Sequence, residues 1–246
     1  MTGPTDDEKR SRVLVPVKIL EGGSIPAGLV ELLSDVEVTV LGYHVLPEQT
    51  PPEQARLQFE ERATEALTDV TEEFRAAGSD ADHRLVFTHD REQTIDRVAD
   101  ETGSRAFAIT GPTGPVERLL VPLTGKIDVE NLLSFVEELA ADREIEVTLL
   151  FAGEESDEIR SLLDGAAGQL DLSGVDTQTL VVDEDPFDAI LEAVPGHDAV
   201  VMAEQGPSLR SLVLGDEAER VAAASVGPVV VVRREMEADE ANDGEE

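Results

Sequence analysis

Phosphate binding is the first chemistry that the sequence raises, because Gly125 and Lys126 directly follow an apolar run. A phosphate-binding P-loop places a glycine five residues before the glycine of this pair, and a serine or threonine after the lysine. Those two positions hold Leu120 and Ile127. The P-loop motif is therefore absent, and this pair alone predicts no nucleotide site.

Metal binding and acid–base catalysis have no supporting constellation either. His83 and His89 share one predicted strand but stand about 20 Å apart by the strand rise, so they cannot hold one metal. His44 and His197 are isolated, and we expect non-catalytic roles for all four histidines. The chain has no cysteine and no Gly-x-Ser-x-Gly motif, which excludes thiolate chemistry and gives no nucleophile signature. We predict that the protein is not an enzyme.

Charge excludes other classes of function. The 246 residues carry 54 acidic and 19 basic side chains, a formal net charge of -35. A nucleic-acid-binding surface must neutralise phosphates with Lys and Arg, and an anionic membrane also selects basic residues, so both partners are disfavoured. With 54 acidic side chains, any single pair of carboxylates has little diagnostic value.

The apolar content shows how so acidic a chain can fold. Disordered acidic chains are poor in Val, Ile and Leu, whereas 41% of this chain is apolar. Self-repulsion of a compact acidic body relaxes in molar salt, so we predict a halophilic protein, with a wholly acidic binding surface as the alternative. The sequence shows no secretory leader and no apolar run approaching about 18 residues, which predicts a cytoplasmic location without membrane insertion.

Short β-branched runs alternate with longer helical patterns along the first part of the chain. The predicted strands are residues 12–19, 36–46, 83–89 and 105–110, and the predicted helices are residues 25–34, 51–77 and 91–101. Strands separated by helices favour parallel pairing, with helices on both faces of the sheet.

The pattern then starts again. The run that begins at Arg12 and contains Pro16 reappears at Arg118 with Pro122, and the run 36–41 reappears at 145–150. The second copy continues with a helix at 158–170, a strand at 176–182, a helix at 186–193, a strand at 198–202, a helix ending at residue 224 and a strand at 228–233. The first copy lacks the last helix and strand.

The predicted fold class is therefore α/β, with two tandem doubly wound parallel-sheet domains, the first of them truncated. The expected boundaries are a flexible N-terminus at 1–11, a first domain at 12–114, a second at 115–234 and a disordered acidic tail at 235–246. We call residues 12–114 the first half and residues 115–234 the second half.

Three segments carry a family resemblance: the first strand through Pro16, the end of the second strand at residues 43–48, and above all residues 207–221 with 227–233. Together they resemble the universal stress protein family, haloarchaeal tandem type, over residues 12–234. The resemblance implies a five-stranded parallel sheet with helices on both faces. It also implies that many members bind ATP at the carboxyl ends of the strands, where a doubly wound sheet opens a crevice.

The nucleotide-binding members of that family share an Asp closing the first strand and a G-x-x-G-x9-G-[ST] loop after the fourth. In this chain the Asp position holds Lys18 in the first half and Thr124 in the second. Glycines in such a loop let backbone amides approach phosphates, and the following helix adds a favourable dipole.

The loop itself departs from the family pattern. Ala203 replaces its first glycine, Gly206 and Gly215 match the later ones with a spacing one residue short, and Asp216 replaces the closing hydroxyl. Asp216 also fits the N-cap of the following helix, and both glycines fit ordinary turns. The candidate cofactor-binding residues implied by the resemblance are thus Thr124, Gly206, Gly215 and Asp216.

The degenerate loop predicts a non-enzymatic stress-response or regulatory module with no cofactor. The alternative is an ATP or adenine-nucleotide sensor that uses the second domain. The final strand, Val229, Val230, Val231 and Val232, would be an exposed apolar edge that invites pairing with another chain. We expect a homodimer through these valines or a protein partner such as a transporter, unless loops or the tail of the same chain cover the edge.

Overall fold

A computed structural model of the chain describes residues 10–125, 127–141, 143–204 and 227–234. The described residues form nine strands: β1 Arg12–Lys18, β2 Glu37–Val45, β3 Ala81–Thr88, β4 Ala106–Ile109, β5 Arg118–Pro122, β6 Glu146–Ala152, β7 Asp176–Val182, β8 Ala199–Ala203 and β9 Val229–Val232. They also form six α-helices: α1 Ala27–Leu32, α2 Pro52–Ala77, α3 Arg91–Thr102, α4 Val129–Ala140, α5 Asp157–Leu172 and α6 Pro186–Ala193.

All nine strands belong to one sheet, in the order β3-β2-β1-β4-β9-β8-β5-β6-β7. The first half contributes β3-β2-β1-β4, and the second half repeats this order as β7-β6-β5-β8. Pairing within each half is parallel, as the alternation of strands and helices predicts. The α/β class with doubly wound parallel sheets is confirmed, and the two halves are joined edge to edge.

Strand β9 lies in the middle of this sheet, and this corrects the expectation of an exposed valine edge. Val231 is in register with Met202 of β8 on its parallel side and with Phe107 of β4 on its antiparallel side. Because the first half has no fifth strand of its own, the free edge of β4 accepts β9 from the second half. A homodimer through Val229, Val230, Val231 and Val232 is excluded in this fold, since these residues are buried and paired on both sides.

The core continues across the junction between the halves. On one face of the sheet, Val15 and Phe74 of the first half belong to the same buried cluster as Phe135 and Val201 of the second half. Leu14 points to the opposite face, because neighbouring residues of a strand alternate between faces. The sheet is thus covered on both sides, which explains the nearly continuous apolar runs of its central strands.

A cluster of polar side chains connects the two halves through hydrogen bonds. The Arg105 guanidinium donates to Ser11 Oγ at 2.8 Å, to Glu138 Oε1 at 2.9 Å and to Asn131 Oδ1 at 2.9 Å. The Asn131 side chain in turn donates to the carbonyl of Arg233 at 3.0 Å. Ser11 is buried and also donates to Glu138, so the predicted flexible N-terminus ends before this residue.

Most element bounds agree with the sequence pattern. Strand β7 and helix α6 coincide with their predicted ranges, and α5 is shorter than α2, its counterpart in the first half. Helix α4 forms where no helix is predicted, and its N-terminus is capped by Asp128, whose side chain accepts from the amide of Asn131 at 3.0 Å. The predicted helix ending at 224 and the acidic tail lie outside the described residues.

Candidate functional site

Each half of the sheet has a point where the strand order reverses, between β1 and β4 in the first half and between β5 and β8 in the second. In doubly wound sheets, ligands bind in the crevice beyond the carboxyl ends of the strands at such a point. Because β9 runs antiparallel to β4, the two crevices open at opposite edges of the sheet. We call them the first-half crevice and the second-half crevice.

In the second-half crevice the structure places one of the predicted site residues. Thr124 follows the end of β5 and is only 2% exposed. Next to it, the chain turns at Gly125, which has a φ of 82°. The other three predicted residues, Gly206, Gly215 and Asp216, lie outside the described residues.

Acidic residues surround the described part of the second-half crevice. Glu204 directly follows β8, and its backbone amide donates to the carbonyl of Val232 at 2.7 Å. Glu154 and Glu155 follow β6 after Gly153, and Asp183 directly follows β7. Carboxylates at the ends of three strands give the described edge of the second half a negative potential, which disfavours phosphate.

One ion pair on this edge is tight enough to move a pKa. Arg160 of α5 lies 2.8 Å from Glu155 Oε1, and the hydrogen bond from its guanidinium, followed by its positive charge, lowers the pKa of the Glu155 carboxyl. The same guanidinium is 3.5 Å from Asp157. Arg160 is therefore paired with one carboxylate in the first turn of α5 and with another in the loop that precedes this helix.

The first-half crevice is a different kind of site. It is an open cavity of about 410 Å³ that includes Lys18 at the end of β1, Tyr43 of β2 and Arg91 at the start of α3. The Arg91 guanidinium lies over the Tyr43 ring, 5.5 Å from its centroid. Lys18 Nζ is 4.0 Å from Glu21, the carboxylate in the lining of this cavity. Lys18 and Arg91 thus line the same cavity.

Glycines shape one wall of the first-half crevice. After β1 the chain makes a short 3-10 turn at Ile19–Glu21 and continues through Gly22, which has a φ of 75°. A Cβ on Gly23 would lie 3.0 Å from the Val17 side chain and 3.2 Å from the carbonyl of Lys18. The close turn back onto the end of β1 therefore needs both glycines, and it brings their backbone to the cavity.

Arg91 and Tyr43 are not among the predicted site residues, which lie in the second half. These residues are far apart in sequence from Lys18, and only the parallel register of β1 with β2, which sets Lys18 beside Tyr43, brings them together. The sequence did contain one indication of this cavity. Lys18 is a basic residue at the carboxyl end of a strand, which is unusual in a chain with 19 basic and 54 acidic residues.

The four histidines make contacts within the fold. His83 Nδ1 lies 3.2 Å from Thr71 Oγ1, and His89 Nδ1 lies 3.2 Å from the carbonyl of Leu46. His44 packs edgewise against the Phe59 and Phe87 rings. His197 contacts the carbonyl of Ala193 and the hydroxyl of Thr148, at 2.8 and 2.9 Å.

Within the described residues, no group of three or more His, Asp or Glu side chains is placed to hold a metal ion. The helices of this part of the chain are all too short or too polar to cross a bilayer.

Comparison with known proteins identifies the second half. Residues 115–233 match the sequence model of the universal stress protein family. No curated protein sequence matches the chain.

Solved structures resemble nearly the whole chain. A universal stress protein from Archaeoglobus fulgidus DSM 4304 aligns with a TM-score of 0.67 and 18% identity, over 91% of this chain and 96% of its own. The cytoplasmic domain of a prokaryotic cation chloride cotransporter aligns with a TM-score of 0.52 and 13% identity, over 90% of this chain and 95% of its own. A putative universal stress protein from Pseudomonas aeruginosa UCBPP-PA14 aligns with a TM-score of 0.50 and 12% identity, over 91% of this chain and 93% of its own. At these identities the likeness is one of fold.

Proposed function

Because residues 115–233 form a domain of the universal stress protein family, we propose that this chain is a non-enzymatic stress-response or regulatory module with a degenerate nucleotide site in its second half. It acts through contacts with other proteins in the cytoplasm of a salt-accumulating cell. Its domains are residues 12–114 and 115–234, which share β9 between them. The acidic composition supports the high-salt setting, since molar salt screens the self-repulsion of a body with net charge -35.

One observation carries this proposal: a buried neutral threonine follows the first strand of the second half. Thr124 is 2% exposed at the position where nucleotide-binding members resemble one another in an aspartate. Its hydroxyl has no negative charge to hold a sugar or base by charge-assisted hydrogen bonds. Glu204 at the end of β8 adds repulsion for a phosphate chain. In this proposal Gly206 and Gly215 are turn residues, and Asp216 caps the following helix.

The direct test is titration of the full chain with Mg-ATP by calorimetry, in about 2 M KCl to screen the acidic surface. We expect no binding in the nanomolar to low-micromolar range. Tight binding that is abolished in Thr124→Ala would overturn the proposal and establish the adenine-nucleotide sensor in the second half. Adenine nucleotide in acid extracts of the purified protein would point the same way.

A transporter remains our proposed class of protein partner. The likeness of this fold to the cytoplasmic domain of a cation chloride cotransporter supports this proposal, because that transport protein contains a domain of the same architecture. With β9 paired on both sides, such a partner must bind another surface. Light scattering of the purified chain in molar KCl should give the mass of one 26.4 kDa chain, and a stable dimer would contradict this part of the proposal.

A further inference from the structure

We propose that the outer edge of β7 is a docking site for an extended segment of a protein partner, which adds to the sheet as a further strand and carries Lys or Arg at both of its ends. This inference rests on the proposed action through contacts with other proteins. It names the surface that the partner contacts and the chemistry of the segment that binds there.

The backbone of β7 is paired on one side only among the described strands. The carbonyl of Val182 accepts from the amide of Gly153 at 2.8 Å, so the backbone of Val182 faces β6. Backbone groups alternate between the two sides of a strand, and Thr177, Thr179 and Val181 therefore direct their N–H and C=O groups away from β6. An extended segment lying along this side can form ladder hydrogen bonds with them.

This edge lacks the features that usually prevent the addition of a strand. Residues 177–182 contain no charged residue and no proline, although 30% of the chain is charged. Leu180 lies within this run and is 38% exposed. Native proteins blunt their edge strands with charges, prolines or bulges, because an open uncharged edge pairs with other chains. An uncharged open edge in so acidic a protein therefore favours a binding role.

The opposite edge of the sheet, β3, does carry such protection. The strand contains the charged residues Asp82 and Arg84, and Arg12 lies 4.0 Å from the Asp82 carboxylate. Arg75 of α2 donates to the carbonyl of Ala81 at 2.8 Å and so occupies a backbone acceptor of this strand. Because β3 and β7 hold the same place in the two halves, the open edge of β7 is not a consequence of the fold.

Charge determines which kind of segment fits the edge of β7. Asp176 at its start and Asp183 and Glu184 after its end are exposed, and within the described residues no basic side chain pairs with them. A second copy in a full-length antiparallel β7 pair would bring like charges together at both ends, and residues 235–246, which are acidic without Lys or Arg, would do the same. A segment with basic ends instead meets opposite charges at both ends.

The probe is a fluorescein-labelled peptide of about ten residues, with alternating Val and Thr in the centre and a pair of Lys at each end. Anisotropy is measured with the full chain at the lowest KCl concentration at which circular dichroism shows the native fold. We expect saturable binding of this Lys peptide. The same peptide with Glu in place of Lys should bind about tenfold more weakly or worse. Hydrogen exchange of residues 176–182 should slow on binding, and that of residues 81–88 should not change.

Matched proline variants locate the docked segment. Thr179→Pro removes an outward N–H of β7 while sparing its pairing with β6, and should weaken binding of the Lys peptide about tenfold or more. The control is Leu85→Pro, which removes an outward N–H of β3 and should leave the affinity within about twofold of wild type. Circular dichroism checks the fold of both variants.

A charge variant tests the same site without altering the backbone. The combined change Asp176→Asn, Asp183→Asn and Glu184→Gln removes the acidic residues at both ends of β7. It should weaken the Lys peptide about threefold or more, as expected for the loss of exposed ion pairs. Binding of the Glu peptide should not weaken.

Several results would overturn the inference. They are the absence of saturable binding of the Lys peptide, equal affinities for wild type and a folded Thr179→Pro, or exchange protection at residues 81–88 instead of 176–182. Dimerisation that Thr179→Pro abolishes would assign the edge to a second copy. Slow exchange of the Thr179 amide in the free monomer would show that another segment of this chain covers the edge. None of these outcomes changes the Mg-ATP titration, so a failure of the docking site is distinguishable from a failure of the proposed function.

Discussion

The two halves of the sheet repeat one strand order, but the ends of their strands carry opposite chemistry. In the first half, β1 ends on Lys18, and Arg91 stands at the start of α3 beside it. In the second half, β5 is followed by the buried Thr124, and β8 by Glu204. The scaffold is duplicated while the crevices have diverged, so binding by one half cannot be inferred from binding by the other.

The halves also differ in how they complete the sheet. The second half has its own fifth strand, and the first half borrows the same strand on its antiparallel side. After β4 the chain continues as a linker to β5, and Thr110 at the start of this linker lines the first-half crevice.

The largest expected effect comes from breaking the shared strand. Val230 is fully buried in the core on one face of the sheet, so Val230→Asp places a charge there and should cost more than about 4 kcal/mol, unfolding both halves together. Val45, at the end of β2, is 44% exposed, and Val45→Asp should cost about 1 kcal/mol at most. Thermal unfolding followed by circular dichroism measures both, and a variant that loses only one half would refute a shared strand.

The polar cluster between the halves should give the next largest effect. Arg105→Met removes four hydrogen bonds and leaves Glu138 and Asn131 without this partner, which should cost about 2 to 4 kcal/mol in urea unfolding. The control Arg97→Met removes an exposed pair worth about 1 kcal/mol or less. Equal losses in the two variants would show that the cluster does not join the halves energetically.

Two glycines, Gly111 in the linker between the halves and Gly165 in α5, should respond in opposite ways to substitution by alanine. A Cβ on Gly111 would lie 2.4 Å from the carbonyl oxygen of Gly227, so Gly111→Ala must displace backbone and should cost about 2 kcal/mol. Gly165 lies in α5 with open space around it, and Gly165→Ala should instead stabilise the protein by about 0.5 to 1 kcal/mol. Melting temperatures of the two variants should therefore move in opposite directions.

Exchanging the two strand-end residues tests whether the crevices are interchangeable. Thr124→Lys introduces a charge at a position that is 2% exposed and should cost about 1 to 2 kcal/mol, reduced by the ability of the long side chain to reach water. The Lys18 side chain is 44% exposed, and Lys18→Thr should change the stability by about 0.5 kcal/mol at most. Similar stability losses at both sites would contradict the difference in burial that separates the crevices.

The smallest expected effect is a pH dependence confined to the second half. The folded protein lowers the pKa of Glu155 through Arg160, so this carboxylate stabilises the fold above its unfolded pKa and loses that contribution as the pH falls through the folded value. Glu155→Gln should therefore be slightly less stable than wild type at neutral pH, and the difference should vanish in acid. The control is the Arg160→Gln background, in which Glu155→Gln should no longer change the stability when all variants are measured at fixed KCl.

Local pattern was sufficient for most of the elements. Strand β7 and helix α6 follow from β-branched runs, a proline at the first helical turn and the turn residues between them. The burial of Ser11 does not follow from local pattern, because it depends on a hydrogen bond to Glu138, which is distant in sequence. Among the candidate site residues, Thr124 lies two residues beyond the end of β5, and its position along the chain follows from the repeat alone.

By itself, the sequence determined the α/β class, the repeat, the absence of thiol chemistry and the excess of negative charge, because each of these is a property of residue types and their local order. Only the tertiary structure decided where β9 pairs and which crevice is basic. The physical reason is that strand edges are satisfied by backbone hydrogen bonds that carry no sequence label. The edge of β4 accepts Val231 opposite Phe107, and Lys18, Tyr43 and Arg91 share one cavity only after the sheet has formed.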